Sequence, residues 1–320
     1  MPRMKAIVQD RYGSASTLRL EDVEVPEPDP TSVLVKVRSA SVNAMDWRIM
    51  SGRPLLGRLF FGLTHPKRRV RGVDVAGEVV AVRKPDSRFK VGQAVFGLGS
   101  GSFAEFVAAD ESEITTKPDA VSFDDAATLG VAAFTALQAV RSNGPVLAGR
   151  SVAVLAAASG VGTFAVQIAK ALGAQVTAVT DAENFALLRG IGADEVVGYD
   201  RSTFSGRGSR YDVILDASGR LSTGRLLRTL RPGGKLVIVG ARGGFGRFLG
   251  AGLRRRILRQ PTFGLMAHAR SDDLAYLGGL VAEGKLKPVI DRVYSLADVP
   301  QAMAAAELHR ARGKLVVHVA

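Results

Sequence analysis

The chain has no cysteine among its 320 residues. That excludes disulfides, cysteine-held iron–sulfur clusters, thiol nucleophiles and thiolate-ligated zinc. Histidine occurs four times, as His65, His268, His309 and His318, scattered without the spacing of a metal site. Each reads as a solvated residue. Tryptophan occurs once, as Trp47, and aromatic residues make up only 6%. Acid is also scarce: 30 Asp and Glu stand against 43 Lys and Arg, a net charge of +13. Such a surplus favours nucleic acid, anionic membrane or anionic ligands, and Arg-, Ala- and Gly-rich usage accounts for it equally well. No window approaches the ~18 apolar residues of a membrane-crossing helix. The opening MPRMKAIVQDRYG has only AIV as an apolar run, too short for a signal peptide. The expectation is a soluble cytoplasmic protein.

What is present is enough apolar material, 47%, to bury real cores, in a length suited to about two domains. The first ~120 residues are β-rich: MKAIVQ, SVLVKVRSA, DVAGEVVAV, QAVFGLG and FAEFVAA are short apolar or alternating runs between Gly, Pro and charged clusters. The segment 52–71 is basic and irregular and reads as a long loop. From about 123 the texture changes. FDDAATLGVAAFTALQAV has helical spacing. After it, strand-like SVAVL, QVTAVT, EVV, DVILD and KLVIVG alternate with helical segments. Continuous apolar strands between helices predict a parallel, doubly wound α/β sheet.

The stretch AAASGVG at 156–162 follows SVAVL and opens the helical TFAVQIAKAL. In a G-x-G-x-x-G frame, Ala157, Ser159 and Gly162 hold the three glycine positions, and only the third is still glycine. Those glycines serve a tight turn, close approach of a pyrophosphate, and helix-on-strand packing. Gly160 and Val161 lie inside the frame. A helix N-terminus still offers N–H groups and a positive dipole end to phosphate. An ordinary strand-to-helix turn fits the loop alone; its place at the head of a βαβ series favours a nucleotide.

The motifs MKAIVQDRYG, SASVNAMDWRIMSG, RGVDVAGEVVAV, RFKVGQAVFGLG, GSFAEFVAA, SGVGTFAVQIAKALGAQVTAV, YDVILDASG, LRPGGKLVIVG and ARGKLVVHV run in order along the whole chain. In this series the chain resembles the zinc-free quinone oxidoreductase branch of the medium-chain dehydrogenase/reductase superfamily. The resemblance implies a GroES-like β-barrel domain over 1–122, completed by 285–320, and a Rossmann domain over 123–284, with a cofactor cleft between them. Zinc-dependent relatives carry a Cys ligand where this chain has Asn43, and a His–Glu pair where it has Val73 and Asp74. With those ligands gone, no metal is expected. Asp74 is expected as a buried partner of an Arg.

The activity implied is hydride transfer from NAD(P)H to a quinone or an α,β-unsaturated carbonyl, with position and polar environment supplied by protein. Alcohol oxidation and a retired enzyme that binds nucleic acid or membrane are the alternatives. By the resemblance, Asn43 and Asp46 lie near the nicotinamide with Trp47 as a wall and Thr135 beside the ring. A helix cap at Asn43 and Asp46, core packing of Trp47, and an ordinary helical Thr135 also fit. No general acid stands out, and water is expected to deliver the proton.

Nucleotide contacts are implied at Thr180, Asp181, Tyr199, Ser218 and Gly240. Asp181 comes nineteen residues after Gly162, where a carboxylate usually takes the ribose 2′-hydroxyl of NAD. With Glu183 nearby it argues for NADH over NADPH; Arg189 and Tyr199 are the residues that oppose this. PTFGLMA at 261–267 reads as an edge strand, which the family pairs in a homodimer. Arg254, Arg255, Arg256 and Arg259 form a basic cluster for weak contact with anionic membrane. No obligate nucleic acid is expected.

Overall fold

The computed structural model describes residues 2–53, 55–141, 148–200, 204, 208–239, 250–251, 262–265, 267–308 and 311–319. Gly240, His309 and the arginines at 254, 255, 256 and 259 lie outside these residues. In chain order the strands are β1 (Arg3–Val8), β2 (Arg19–Glu24), β3 (Ser32–Val42), β4 (Asp74–Val82), β5 (Ala94–Leu98), β6 (Phe106–Asp110), β7 (Ile114–Thr116), β8 (Ser151–Leu155), β9 (Gln175–Val179), β10 (Glu195–Val197), β11 (Tyr211–Asp216), β12 (Leu230–Val239), β13 (Thr262–Leu265), β14 (Ile290–Ser295) and β15 (Lys314–His318). The helices that matter below are α1 (Ala44–Ser51), α2 (Arg58–Phe61), α3 (Phe123–Thr128), α4 (Phe134–Arg141) and α5 (Gly160–Ala171).

The chain forms two units, Met1–Phe134 with Ala269–Gly284 and Pro288–Ala320, and Thr135–His268 with Lys285–Lys287. In the first, β3 alternates inward Val33, Val35 and Val37 with the less buried Leu34, Lys36 and Arg38, as a half-buried strand should. It anchors a mostly antiparallel sheet of order β14-β15-β3-β4-β5-β7, with β6 also on β3. The core behind it gathers Val35, Met50, Val75, Phe103, Val107 and Val317. This is the β-rich half expected of the first ~120 residues.

In the second unit six strands run in the order β10-β9-β8-β11-β12-β13, every neighbouring pair parallel. SVAVL and YDVILD, apolar throughout their centres, are the buried middle strands. The order reverses between β8 and β11, the place where doubly wound sheets bind ligands beyond the strand C-termini. The edge strand β13 holds TFGL, as expected from PTFGLMA.

Two expectations change. Contacts group 123–134 and 269–284 with the first unit. There α3 packs on β3 and β4, and the helix Ser271–Ala282 lies against β7 with Gly278 on the ring of Phe96. Lys285–Lys287 go with the second unit, where Gln167 Oε1 accepts from the Lys287 N–H and Gln167 Nε2 donates to its carbonyl. The apolar run from 123 is also not one helix. A π-helical turn over Leu129–Ala133 separates α3 from α4. Asp74 Oδ1 accepts the Val131 N–H at 2.8 Å, taking a donor from the helical ladder.

Candidate functional site

The turn after β8 is shaped by its small residues. Ala156 has φ 57°, the one non-glycine residue in the left-handed region among the described residues. Its N–H donates to Tyr199 Oη at 2.9 Å, and its carbonyl accepts from the Ser159 N–H. A Cβ on Gly162 would stand 2.2 Å from the Ala156 carbonyl oxygen, so only glycine fits there. Ser159 is the N-cap of α5; its Oγ accepts from the Gly162 N–H at 3.2 Å. Among the described residues, the N–H groups of Gly160 and Val161 have no partner. They stand at the positive end of a twelve-residue helix, the arrangement by which a helix N-terminus could hold an anion. The loop therefore fits a pyrophosphate despite its missing glycines.

Next to it, Thr180 is buried at the end of β9, and Asp181 begins the following turn. Asp181 is not alone: Arg220 Nη1 reaches both its carboxylate oxygens, at 2.8 and 2.9 Å. The same guanidinium lies 4.6 Å from the centre of the Tyr199 ring. Ser218 helps to aim it. Asp216 Oδ1 accepts from the Ser218 hydroxyl and from the Ser218 and Gly219 N–H groups, and Ser218 Oγ accepts from the Arg220 N–H. Tyr199 is half-buried, and burial pushes its phenol pKa up. The sequence reading named Asp181, Tyr199 and Ser218 but missed Arg220. It named Arg189 instead, which lies over Phe185, 5.8 Å from the ring centre.

In the first unit, Asn43 precedes α1, and its N–H donates to Asp46 Oδ2 at 2.8 Å, half of a capping box. The Asn43 side chain turns inward. Its Nδ2 donates to Asp74 Oδ2 at 2.8 Å, and its Oδ1 accepts from Lys314 Nζ at 2.6 Å. Lys314 Nζ also donates to the Val42 carbonyl (3.1 Å) and to Asp74 Oδ2 (3.3 Å), and Ser41 Oγ donates to the same Asp74 oxygen at 2.6 Å. Lys314 and Asp74 are fully buried. The expected arginine partner of Asp74 is thus a lysine from the opposite end of the chain. ARGKLVVHV placed that lysine at the head of an apolar strand, but only tertiary pairing of β15 with β3 brings it to Asn43.

Asp46 is buried as well, and burial, reinforced by the nearby Asp74 charge, raises its pKa to about 7. Arg71, buried beside it in charge terms, has its pKa lowered to about 10 by desolvation, and its Nε lacks a hydrogen-bond partner. Trp47 packs against the core of the first unit, the packing reading of that residue. Thr135 opens the second unit, half-buried on α4. Of the histidines, His318 pairs with Asp124 at 2.7 Å and His65 with Thr64, while the His268 backbone is held by Gln138. Among the described residues, no three acidic or histidine side chains are grouped to hold a metal ion. None of the described helices is long and apolar enough to cross a membrane.

Known proteins align with this arrangement. The alcohol dehydrogenase GroES-like domain model matches residues 29–119, and the zinc-binding dehydrogenase model matches 191–317. A chloroplastic quinone-oxidoreductase of Triphysaria versicolor is 31% identical, covering 98% of each chain. The NADPH-dependent alkenal/one oxidoreductase of Arabidopsis thaliana is 31% identical over 98% of this chain and 79% of its own length. The solved quinone oxidoreductase of Coxiella burnetii superposes with a TM-score of 0.88 at 30% identity, over the full length of both chains.

Proposed function

The chain belongs to the quinone oxidoreductase branch of the medium-chain dehydrogenase/reductase superfamily, and on that premise we propose that it uses NAD(P)H to reduce quinones or α,β-unsaturated carbonyls. The observation that carries the reading is the turn after β8, with two unpartnered N–H groups above a glycine that admits no side chain, at the point where the strand order reverses. A bound nicotinamide supplies a hydride. Gly160 and Val161 hold its phosphates, and Ser159 keeps their helix end in place. On the acceptor side, Asn43 and Asp46 position, since their polar atoms are already engaged within the first unit. Trp47 supports that segment from the core, and Thr135 offers a hydroxyl to the nicotinamide. Water returns the proton to the quinol oxygen or to the α-carbon of the reduced enone. The test is a spectrophotometric panel pairing NADH and NADPH with benzoquinones, naphthoquinones and enals. No turnover with any acceptor, together with no fluorescence quenching on cofactor titration, overturns the reading.

NADH is the preferred cofactor in this proposal, and Arg220 narrows the preference. A 2′-phosphate meets Asp181 and Glu183, but also a guanidinium. The Arg220–Asp181 pair is more than half exposed on both sides, and such pairs contribute about 0–1 kcal/mol. One uncancelled negative charge in solvent leaves a discrimination of about 1 kcal/mol, roughly fivefold. Asp181→Ser releases Arg220 for the phosphate and moves the preference to NADPH; adding Arg220→Ala returns it toward parity. A wild-type kcat/KM at least about tenfold higher with NADPH sinks the preference.

Zinc does not fit the positions its relatives use. Asn43 is a carboxamide, Val73 is a hydrocarbon, and Asp74 already neutralises the buried Lys314 ammonium. A second cation there would meet that ammonium. No step of the proposed reaction runs through a metal, and dialysis against EDTA is expected to leave the rate unchanged. The homodimer forms by pairing the edge strand β13, whose apolar Phe263 and Leu265 would otherwise border an open edge.

A further inference from the structure

Between Asp46 and Asp74 the sequence has seven Arg and Lys and no acid. The structure describes nine exposed large hydrophobic side chains, and four of them fall within nine residues of this same stretch: Leu55 (68% exposed), Leu59 (61%), Phe61 (39%) and Leu63 (67%). Single exposed leucines need no explanation, but a cluster inside an all-basic segment does. Arg53 and Lys67 are exposed around it, while Arg68 lines a pocket with Glu24, Glu27 and Glu113. Arg69 is spent on Asp10 and Glu21, and Arg71 is buried.

The lobe is built and held in shape. Tyr12 Oη donates to the Gly62 carbonyl at 2.6 Å. The Arg58 guanidinium lies 4.5 Å over the Tyr12 ring, and its Nε donates to the Gly52 carbonyl at 3.1 Å. The Lys67 N–H donates to the Phe61 carbonyl at 2.7 Å, closing the far side. Polar contacts therefore fix the base while the leucines stay exposed. Docking such a lobe costs little ordering entropy.

We propose that residues 52–67 are an interfacial anchor that seats on an anionic bilayer. Leu55, Leu59, Phe61 and Leu63 enter the headgroup–acyl boundary, and Arg53 and Lys67 meet the lipid phosphates and carboxylates. The pairing of apolar tips with flanking cations, in a segment that itself carries no acid, is what a negatively charged lipid surface requires. A purely acidic protein partner would not reward four exposed leucine and phenylalanine side chains. The consequence is direct access to acceptors dissolved in the membrane, so the proposal extends the reductase reading while its test is independent of turnover.

The test is vesicle flotation of the full chain with phosphatidylcholine alone and with phosphatidylserine added. The protein is expected to float with the anionic vesicles and not with the neutral ones. Arg53→Ser with Lys67→Ser should lower the bound constant about fivefold per cation removed. Leu55→Ser/Leu59→Ser/Leu63→Ser should leave the protein at the bottom of the gradient with unchanged thermal unfolding. Absence of cysteine permits a second measurement that does not depend on that triple variant. An environment-sensitive dye on Leu63→Cys should shift blue on anionic vesicles, and one on Val91→Cys, exposed between β4 and β5, should not. Wild-type protein that does not float, equal flotation on both lipids, undiminished flotation of the leucine variant, or equal shifts at both labels overturns the proposal. So does a fall in solution mass of the leucine variant without lipid, which would make the lobe an interface between copies.

Discussion

Asp46 and Lys314 are the two side chains whose burial has the clearest measurable consequence. In the folded chain Asp46 holds its proton up to about pH 7, whereas an unfolded aspartate releases it near pH 4. Between those values the folded state binds the proton and the unfolded state does not, so wild-type stability falls as pH rises, by at most about 1.4 kcal/mol per pH unit. Below pH 4 and above pH 7 the contribution is flat. Asp46→Asn, which keeps an acceptor for the Asn43 N–H, removes the slope. Urea unfolding at several pH values should show the variant gaining on wild type from pH 4 to 7; parallel curves would refute the burial of that carboxyl. Lys314→Met leaves Asp74 charged in the interior with only Ser41, Asn43 and the Val131 N–H around it. Losing one partner of a buried pair costs about 3–5 kcal/mol. Adding Asp74→Asn should recover part of the loss in a denaturation measurement, and no recovery would mean that the two do not act as a pair.

At the scale of elements, two helix ends have measurable consequences, one in each unit. Ser159 caps α5, because its oxygen accepts from the Gly162 N–H. Ser159→Ala should cost about 1 kcal/mol of stability and Ser159→Gly only a few tenths. Calorimetry reads both, and equal losses would argue against the cap. The junction of α3 and α4 depends on Gly130, where a Cβ would stand 2.2 Å from Asp74 Oδ1. Gly130→Ala must therefore push Asp74 off the Val131 N–H, and it is expected to lower the thermal midpoint more than Gly149→Ala does, although Gly149 has φ 82°. Position 149 has open space around it; a smaller effect at Gly130 would contradict the clash.

For the whole molecule the expectations concern assembly and metal. Light scattering at micromolar concentration should report twice the chain mass, and a monomer would contradict pairing through β13. Elemental analysis of the active protein should find no stoichiometric zinc. One zinc per chain, needed for turnover, would overturn the metal-free reading, since Lys314 already supplies the buried cation at Asp74.

The alternation in SVLVKVRSASV and the unbroken apolar centres of SVAVL and YDVILD determine the two sheets, because burial on one face or both imposes those patterns whatever lies nearby. The same holds for the AAASGVG turn: its position after a buried strand and before a helix fixes which glycine is indispensable. Local pattern could not decide which distant charges meet. Arg220 reaches Asp181 across thirty-nine residues and Lys314 reaches Asn43 across 271, and no spacing rule connects such pairs. Nor could helical spacing reveal the break at Gly130, since the group that takes the Val131 N–H is on β4. Periodicity records which face of an element is buried. The partners that occupy the buried side are chosen by the sheet order and register, and those exist only in the folded chain.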